Sequence, residues 1–253
     1  MRNSPQKITQ SIDMFYSGIS TRGVQGHLKA FYPHNSSWVS IYSWVVKYSK
    51  KIGKFTENLK VKSSGFLEFD EMEYHRRKNH NSKRVDKNWF IDSIDTETRF
   101  MLSSDYTKSR SIKSIKNVLL KIKNKSDNIQ KITTDGLTAY ENIVKKTFGY
   151  NLKEGKYNVE HKIITQRKGE GFNHKVERLH SNIRARTKTM RGFHSSISSA
   201  YYIMRGYEIY YNFIRNHMAI GCCPFELAIP ELKDKLNVPN KRLTLIELSN
   251  KSI

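Results

Sequence analysis

Two periodicities divide the chain. Between residues 8 and 50, apolar positions recur at helical spacing. ITQSIDMFYS is predicted as a first helix ended by Gly18. STRGVQGHLKAF is predicted as a second, with Ser20 as its N-cap and Pro33, His34 and Asn35 as its break. SSWVSIYSWVVKYSKK begins a third, in which Ile41, Trp44, Val45 and Tyr48 fall at i, i+3, i+4 and i+7 and form an apolar stripe. Ser36, Ser40, Ser43 and Lys47 fall on another face, small, polar and basic, as a helix-turn-helix reader of DNA requires. A helical cap on the following domain would have the same pattern.

Residues 51–63 read as a Lys-rich linker, after which the period changes to two. GFLEFDEMEY and NWFIDSIDTETRFMLSSDY alternate apolar and polar positions and predict three antiparallel strands, with RRKNHNSKRVDK as a basic turn. SRSIKSIKNVLLKIKNK returns to helical spacing, with Ile112, Ile115, Val118, Leu119 and Ile122 on one side. NIQKITTDG predicts a fourth strand, LTAYENIVKKTFG a helix and VEHKIITQ a fifth strand. Two more helices follow at 173–188 and about 196–217. The order β-β-β-α-β-α-β-α is the ribonuclease-H-like order, an α/β class with a mixed sheet and flanking helices. The expected division is 1–50 helix-turn-helix, 51–63 linker, 64–230 catalytic domain and 231–253 tail.

Charge alters this picture. The 253 residues carry 45 Lys and Arg against 23 Asp and Glu, a net charge of +22. Such a field gathers polyanions, nucleic acid first and an anionic membrane surface second. No run of about 18 apolar residues is present to span a bilayer. The start lacks a secretory pattern, and the only cysteines, Cys222 and Cys223, are adjacent, without the C-x-x-C spacing of a zinc site. A cytoplasmic protein with reduced cysteines is expected.

Against this basic background three acids stand apart. Asp70 lies in the first predicted strand, Asp135 where the fourth strand ends beside Gly136, and Glu177 inside a helix. In the ribonuclease-H-like order the first and fourth strands are neighbours and the last helix crosses them, so the three carboxylates can converge. A cluster of that kind repels itself unless cations neutralise it. Two Mg²⁺ (or Mn²⁺) ions, hard and oxygen-seeking, suit the donors and in-line attack on phosphorus. Glu71 is expected on the opposite strand face and Asp95 as a turn cap. Asp92, Glu160 and Glu170 are less favoured.

The stretch from 65 to 230 resembles the DDE transposases of prokaryotic insertion sequences, in the ribonuclease-H-like integrase superfamily. Within them it is most similar to the group that includes insertion sequence six. FDEMEY resembles the first-acid strand, TTDGLTAY the second-acid turn, and NHKVERLHSNIRARTKTMRGF the third-acid helix. YYNFIRNHMAIGCCPFELA resembles the closing segment. The resemblance implies that Asp70, Asp135 and Glu177 are the catalytic, metal-binding triad. It also implies cleavage and strand transfer at insertion-sequence ends, with double-stranded DNA (terminal inverted repeats and target) as partner and a homo-oligomer as working form. The chain departs from the family in the long interval between Asp135 and Glu177, with the extra length expected near 150–158, and in a short N-terminal region.

Arg178, Arg184, Arg186 and Lys188 follow the third acid. Arg184 lies two helical turns beyond Glu177 on the same face, suited to a phosphate near the metals. A ribonuclease-H-like nuclease without strand transfer, or an inactive element copy that only binds DNA, are the alternative expectations.

Overall fold

Serine hydroxyls start the three N-terminal helices. In the computed structural model, which describes residues 3–32, 36–77, 85–137, 139–164, 173–187, 193–194, 196–236 and 243–251, Ser4 caps α1 (Pro5–Tyr16), Ser20 caps α2 (Thr21–Lys29) and Ser37 caps α3 (Trp38–Glu57). Each accepts from a backbone N–H three residues on, which would otherwise lack a partner. α3 buries Ile41, Val45, Ser49, Ile52, Gly53 and Thr56, an uninterrupted helical stripe. It therefore continues through the first half of the segment expected as a linker.

Five strands form the central sheet: β1 (Phe66–Glu73), β2 (Trp89–Asp95), β3 (Met101–Thr107), β4 (Lys131–Thr134) and β5 (Glu160–Ile163), in the spatial order β3-β2-β1-β4-β5. β1–β2 and β2–β3 are antiparallel, whereas β1–β4 and β4–β5 are parallel. This is the ribonuclease-H-like order expected from the sequence. The register places Asp70 opposite Asp92, and Asp92 opposite Ser104.

Strand alternation then assigns each helix to a face. Helices α4 (Ile112–Lys125) and α5 (Ala139–Phe148) cover the face carrying Phe69, Glu71 and Asp105: Tyr140 meets Phe69 edge-on at 5.4 Å, and Lys121 reaches Asp105 at 3.9 Å. Helices α6 (His174–Thr187) and α7 (Ile197–Phe213) cover the opposite face, with Glu68, Asp70, Asp92 and Ser104. The segment near 150–158, where extra length was expected, forms a small hairpin pairing Tyr150–Asn151 with Lys156–Tyr157.

The N-terminal helices dock on α7. Tyr16 Oη lies 2.9 Å from Ser49 Oγ and donates to the Ile203 carbonyl at 3.2 Å, directly over Gly206, where a Cβ would come within 2.0 Å of both hydroxyls. The expected C-terminal tail is also structured. After α8 (Pro224–Ala228) come α9 (Pro230–Leu236) and α10 (Leu245–Lys251), whose Leu232, Leu236, Leu245, Ile246 and Leu248 enter the main core. Periodicity could not reveal these helices because each has fewer than three turns. No helix among the described residues is long and apolar enough to cross a membrane.

Candidate active site

β1 places two consecutive carboxylates on opposite faces. Asp70 points to the α6 side, where His180 stands over it: Nδ1 lies 3.6 Å from Asp70 Oδ2 and Nε2 lies 3.2 Å from each oxygen of Asp92. Asp92 is fully buried and His180 nearly so. Burial would lower the imidazole's affinity for a proton, yet Asp92 and Asp70 together hold its pKa above the ordinary value. One cation thus serves two carboxylates. The remaining excess of negative charge appears in the acids: burial pushes Asp70 up to about 6, with Asp92 and Asp135 adding to the rise against His180. Asp92 is likewise raised by burial.

Glu71 faces α5 and the start of α4, as its neighbouring position demands. Its carboxylate accepts from the Tyr140 hydroxyl and from Arg110 Nη1 at 3.3 Å. Burial, then the charges of Asp135 and Asp70, raise it to about 7 despite Arg110. Asp135 follows the last residue of β4 at the exposed end of that strand, and its Oδ1 accepts from the Leu137 N–H at 3.1 Å, closing the turn. The strand end behind it is pinned by Thr134 Oγ1 and His161 Nε2 at 2.9 Å. Asp70, Glu71 and Asp135 therefore share one electrostatic neighbourhood.

Helix α6 is held by its N-terminus. Glu68 Oε2 accepts from the backbone N–H groups of Lys175 and Val176 at 2.7 and 2.9 Å, a carboxylate on the positive end of a helix. Glu177 lies on this first turn, exposed, three residues before His180 and about 60° around the axis from it. Among the described residues no three His, Cys, Asp or Glu side chains stand close enough to hold a metal. Pairing of β1 with β4 thus sets Asp70 and Asp135 near enough for their charges to interact, while Glu177 is exposed on α6 and His180 stands over Asp70. The oxygen donors, with the raised proton affinity of Asp70, fit a hard divalent cation, whose charge would relieve it.

The expected DNA-contact residues separate into groups. Ser40, Ser43 and Lys47 share one side of α3, Ser43 and Lys47 exposed and Ser40 half-buried. Ser36 precedes the helix and is buried, donating to Asn3 Oδ1 at 2.7 Å, so it is not on that side. Arg178 and Arg184 are exposed on α6. Arg186 instead folds back over the Tyr210 ring, 5.9 Å from its centroid, and against Gly18. Lys188 lies outside the described residues. Asp95 caps the β2–β3 turn as expected, accepting from Glu97 and Thr98 N–H at 2.9 Å. Asp92 is less favoured from the sequence, and only the fold sets it beside His180. Their importance comes from the cross-strand register, which one sequence does not display. A cavity of about 860 Å³ bordered by Lys145, Tyr157, Glu160 and His161 lies beside β5, away from Asp70.

The family model of the DDE domain of IS240-type transposases matches residues 84–217, a span that includes Asp135 and Glu177 and begins after Asp70. No curated protein sequence matches. Solved structures show low-identity likeness, three of them as follows. A simian T-cell lymphotropic virus intasome in complex with a PP2A regulatory subunit is 11% identical, TM-score 0.47, over 67% of this chain and 55% of that one. The integrase catalytic core domain of HTLV-2 in complex with magnesium is 13% identical, TM-score 0.44, over 65% and 96%. The Drosophila P element transposase strand transfer complex is 10% identical, TM-score 0.38, over 99% and 78%. With the family model spanning more than half of its length, the chain belongs to the DDE-domain family of transposases.

Proposed function

We propose that this chain is the transposase of an insertion sequence of the insertion-sequence-six-like group, cutting DNA at the element ends and joining the freed 3′-hydroxyl to target DNA. The observation that carries the reading is the under-neutralised Asp70 on β1, raised by burial and by the charges of Asp92 and of Asp135 at the end of the adjoining strand β4, within a protein of net charge +22. A basic body with a negative centre suits a phosphate backbone brought against divalent cations.

Asp70, Asp135 and Glu177 would hold two Mg²⁺ or Mn²⁺ ions. When bound, these ions supply Lewis-acid stabilisation of the attacking and leaving oxygens. The chain's own groups supply position. His180 and Asp92 fix the Asp70 side chain, Tyr140 and Arg110 tie down Glu71, and the Asp135 turn sets the edge that DNA approaches. Arg178 and Arg184 face solvent on the α6 side, where they suit phosphates of the element end. Ser40, Ser43 and Lys47 of α3 suit contact with the terminal inverted repeats. Two ends must be handled together, so the working form is a homo-oligomer.

Asp135→Asn tests the reading. The amide keeps an acceptor for Leu137 N–H, so the fold is retained, and duplex binding should remain within about threefold of the unaltered chain. Joining of a pre-cleaved element end to target DNA in Mg²⁺ should fall below detection. Joining at the unaltered rate would end the proposal, and cleavage without joining by the unaltered chain would turn it into a nuclease.

A further inference from the structure

Arg178 and Arg184 are exposed on the α6 side of the sheet. On the opposite side another arginine reaches the acid row by direct contact. Arg110, in the loop between β3 and α4, donates from Nη1 to Glu71 Oε1 at 3.3 Å, and its Cζ lies 4.6 Å from the centroid of the Trp89 ring.

The strand register fixes where this group lies. Glu71 and Glu73 share the face covered by α4 and α5, and Trp89 sits directly across the ladder from Glu73 on that same face. Because β1 and β4 are parallel, the end of β1 and the start of β2 lie at the end of the sheet where Asp135 follows β4. Glu71 is also the residue after Asp70. Arg110 therefore flanks the acid site on the α4–α5 side, with the sheet between it and α6.

Its contacts leave the head group prepared for a further partner. The Glu71 side chain is almost fully enclosed, whereas that of Arg110 is 47% exposed. The indole covers one flat side of the guanidinium, and Glu71 engages one of its five N–H donors. Neutralising Glu71 needs only that one contact; the ring beneath fixes the direction of the remaining N–H groups. A guanidinium held in this way loses little freedom on binding, and its parallel donors match a phosphate. Lys108 and Lys113, exposed on either side of it along the chain, share its sign, and the first turn of α4 carries no acid.

Strand transfer brings two duplexes to one set of acids. A duplex lying along α6 occupies one side of the sheet, and the second must reach the acids from the other. Resting on the transposase reading, we propose that Arg110, on its Trp89 platform, holds a phosphodiester group of the target DNA, while Arg178 and Arg184 hold the element end. Arg110 sets where the target strand meets the acids and takes no part in bond breaking.

Fluorescence anisotropy in EDTA, titrated across salt, tests this without chemistry. The first probe is a labelled duplex of the DNA that borders the coding region. The second is a labelled random-sequence duplex, added to chain already saturated with the unlabelled border duplex. Arg110→Gln should reduce the slope of log affinity against log salt by about 0.9 for the second probe, one phosphate contact, and leave the slope for the first in place. Arg178→Gln should do the reverse. Arg110→Lys keeps the charge and the Glu71 pair but loses the parallel donors, so its slope should hold while affinity for the second probe falls several-fold. A role confined to Glu71 moves neither slope. An unchanged second-probe slope in Arg110→Gln, or a slope lost for the border duplex instead, would overturn the target seat alone; where the glutamine variant does not fold, unchanged second-probe affinity in Arg110→Lys does so. Absence of salt-dependent DNA binding in the unaltered chain would overturn the transposase reading itself.

Discussion

Two sets of ionisable side chains lie buried against the same sheet and are balanced in opposite ways. On α7, Glu208 is fully buried but well partnered: Arg205 Nη1 donates to it at 2.5 Å, Ser104 donates its hydroxyl, and Lys125 Nζ stands 3.8 Å away. Burial would raise its pKa, yet Arg205 and Lys125 hold it below the usual carboxylate range. Around β1, burial prevails instead, and Asp70 and Glu71 rise to about 6 and about 7. The first set closes its charge account within the protein. The second leaves it open for a cation from outside, the arrangement expected of a working site.

The largest effect should come from opening the closed set. Glu208→Ala leaves Arg205 and Lys125 buried without their anion, a change worth about 3–5 kcal/mol in chemical unfolding. The sign with pH also follows. A carboxylate whose folded pKa is depressed stabilises above its unfolded value and loses that contribution as pH falls through the folded one. The gap between the unaltered chain and Glu208→Ala should therefore narrow in acid. A loss below about 1 kcal/mol at neutral pH would mean the α7 set is not the structural counterpart argued above.

The converse change, neutralising the open set, should stabilise. Asp70 binds its proton more tightly in the folded chain than unfolded, so its contribution is intact below pH about 4 and is lost as pH rises through about 6. Asp70→Asn should therefore be more stable than the unaltered chain at pH 8, by at most roughly 3 kcal/mol from a rise of about two units. The two should converge below pH 4. Mg²⁺ should raise the thermal midpoint of the unaltered chain at pH 8, less at pH 5, and little in Asp70→Asn. Equal stability of the two proteins at pH 8 would remove the strain assigned to β1.

Sequence made the open set easier to find than the closed one. Asp70 and Asp135 each mark a strand by local pattern, alternation in FDEMEY and an Asp-Gly turn in TTDGLTAY, and the strand order then makes them neighbours. The sheet order itself was legible because each element has its own period. Asp92 and His180 were not, since their pairing depends on the Asp70↔Asp92 register and on which side α6 lies. Arg205, Glu208, Lys125 and Ser104 come from three distant elements, and an Arg-Gly-Tyr-Glu run on a helix reads as an ordinary surface ion pair.

The smallest effect separates the two cations of the closed set. Lys125 is nearly as buried as Arg205 but stands farther from Glu208, and burial lowers its pKa to about 8. A lysine depressed in the folded state weakens folding at neutral pH, and that penalty fades as pH rises from about 8 toward the unfolded value near 10.5. Lys125→Met removes the charge and keeps an unbranched apolar stem, while Arg205 still partners Glu208. Its stability at pH 7 should lie within about 1 kcal/mol of the unaltered chain, and its curve should lack the rise between pH 8 and 10. A loss approaching that of Glu208→Ala would show that both cations are needed to hold the carboxylate ionised, and that the closed set is balanced far less comfortably than the Arg205–Glu208 contact suggests.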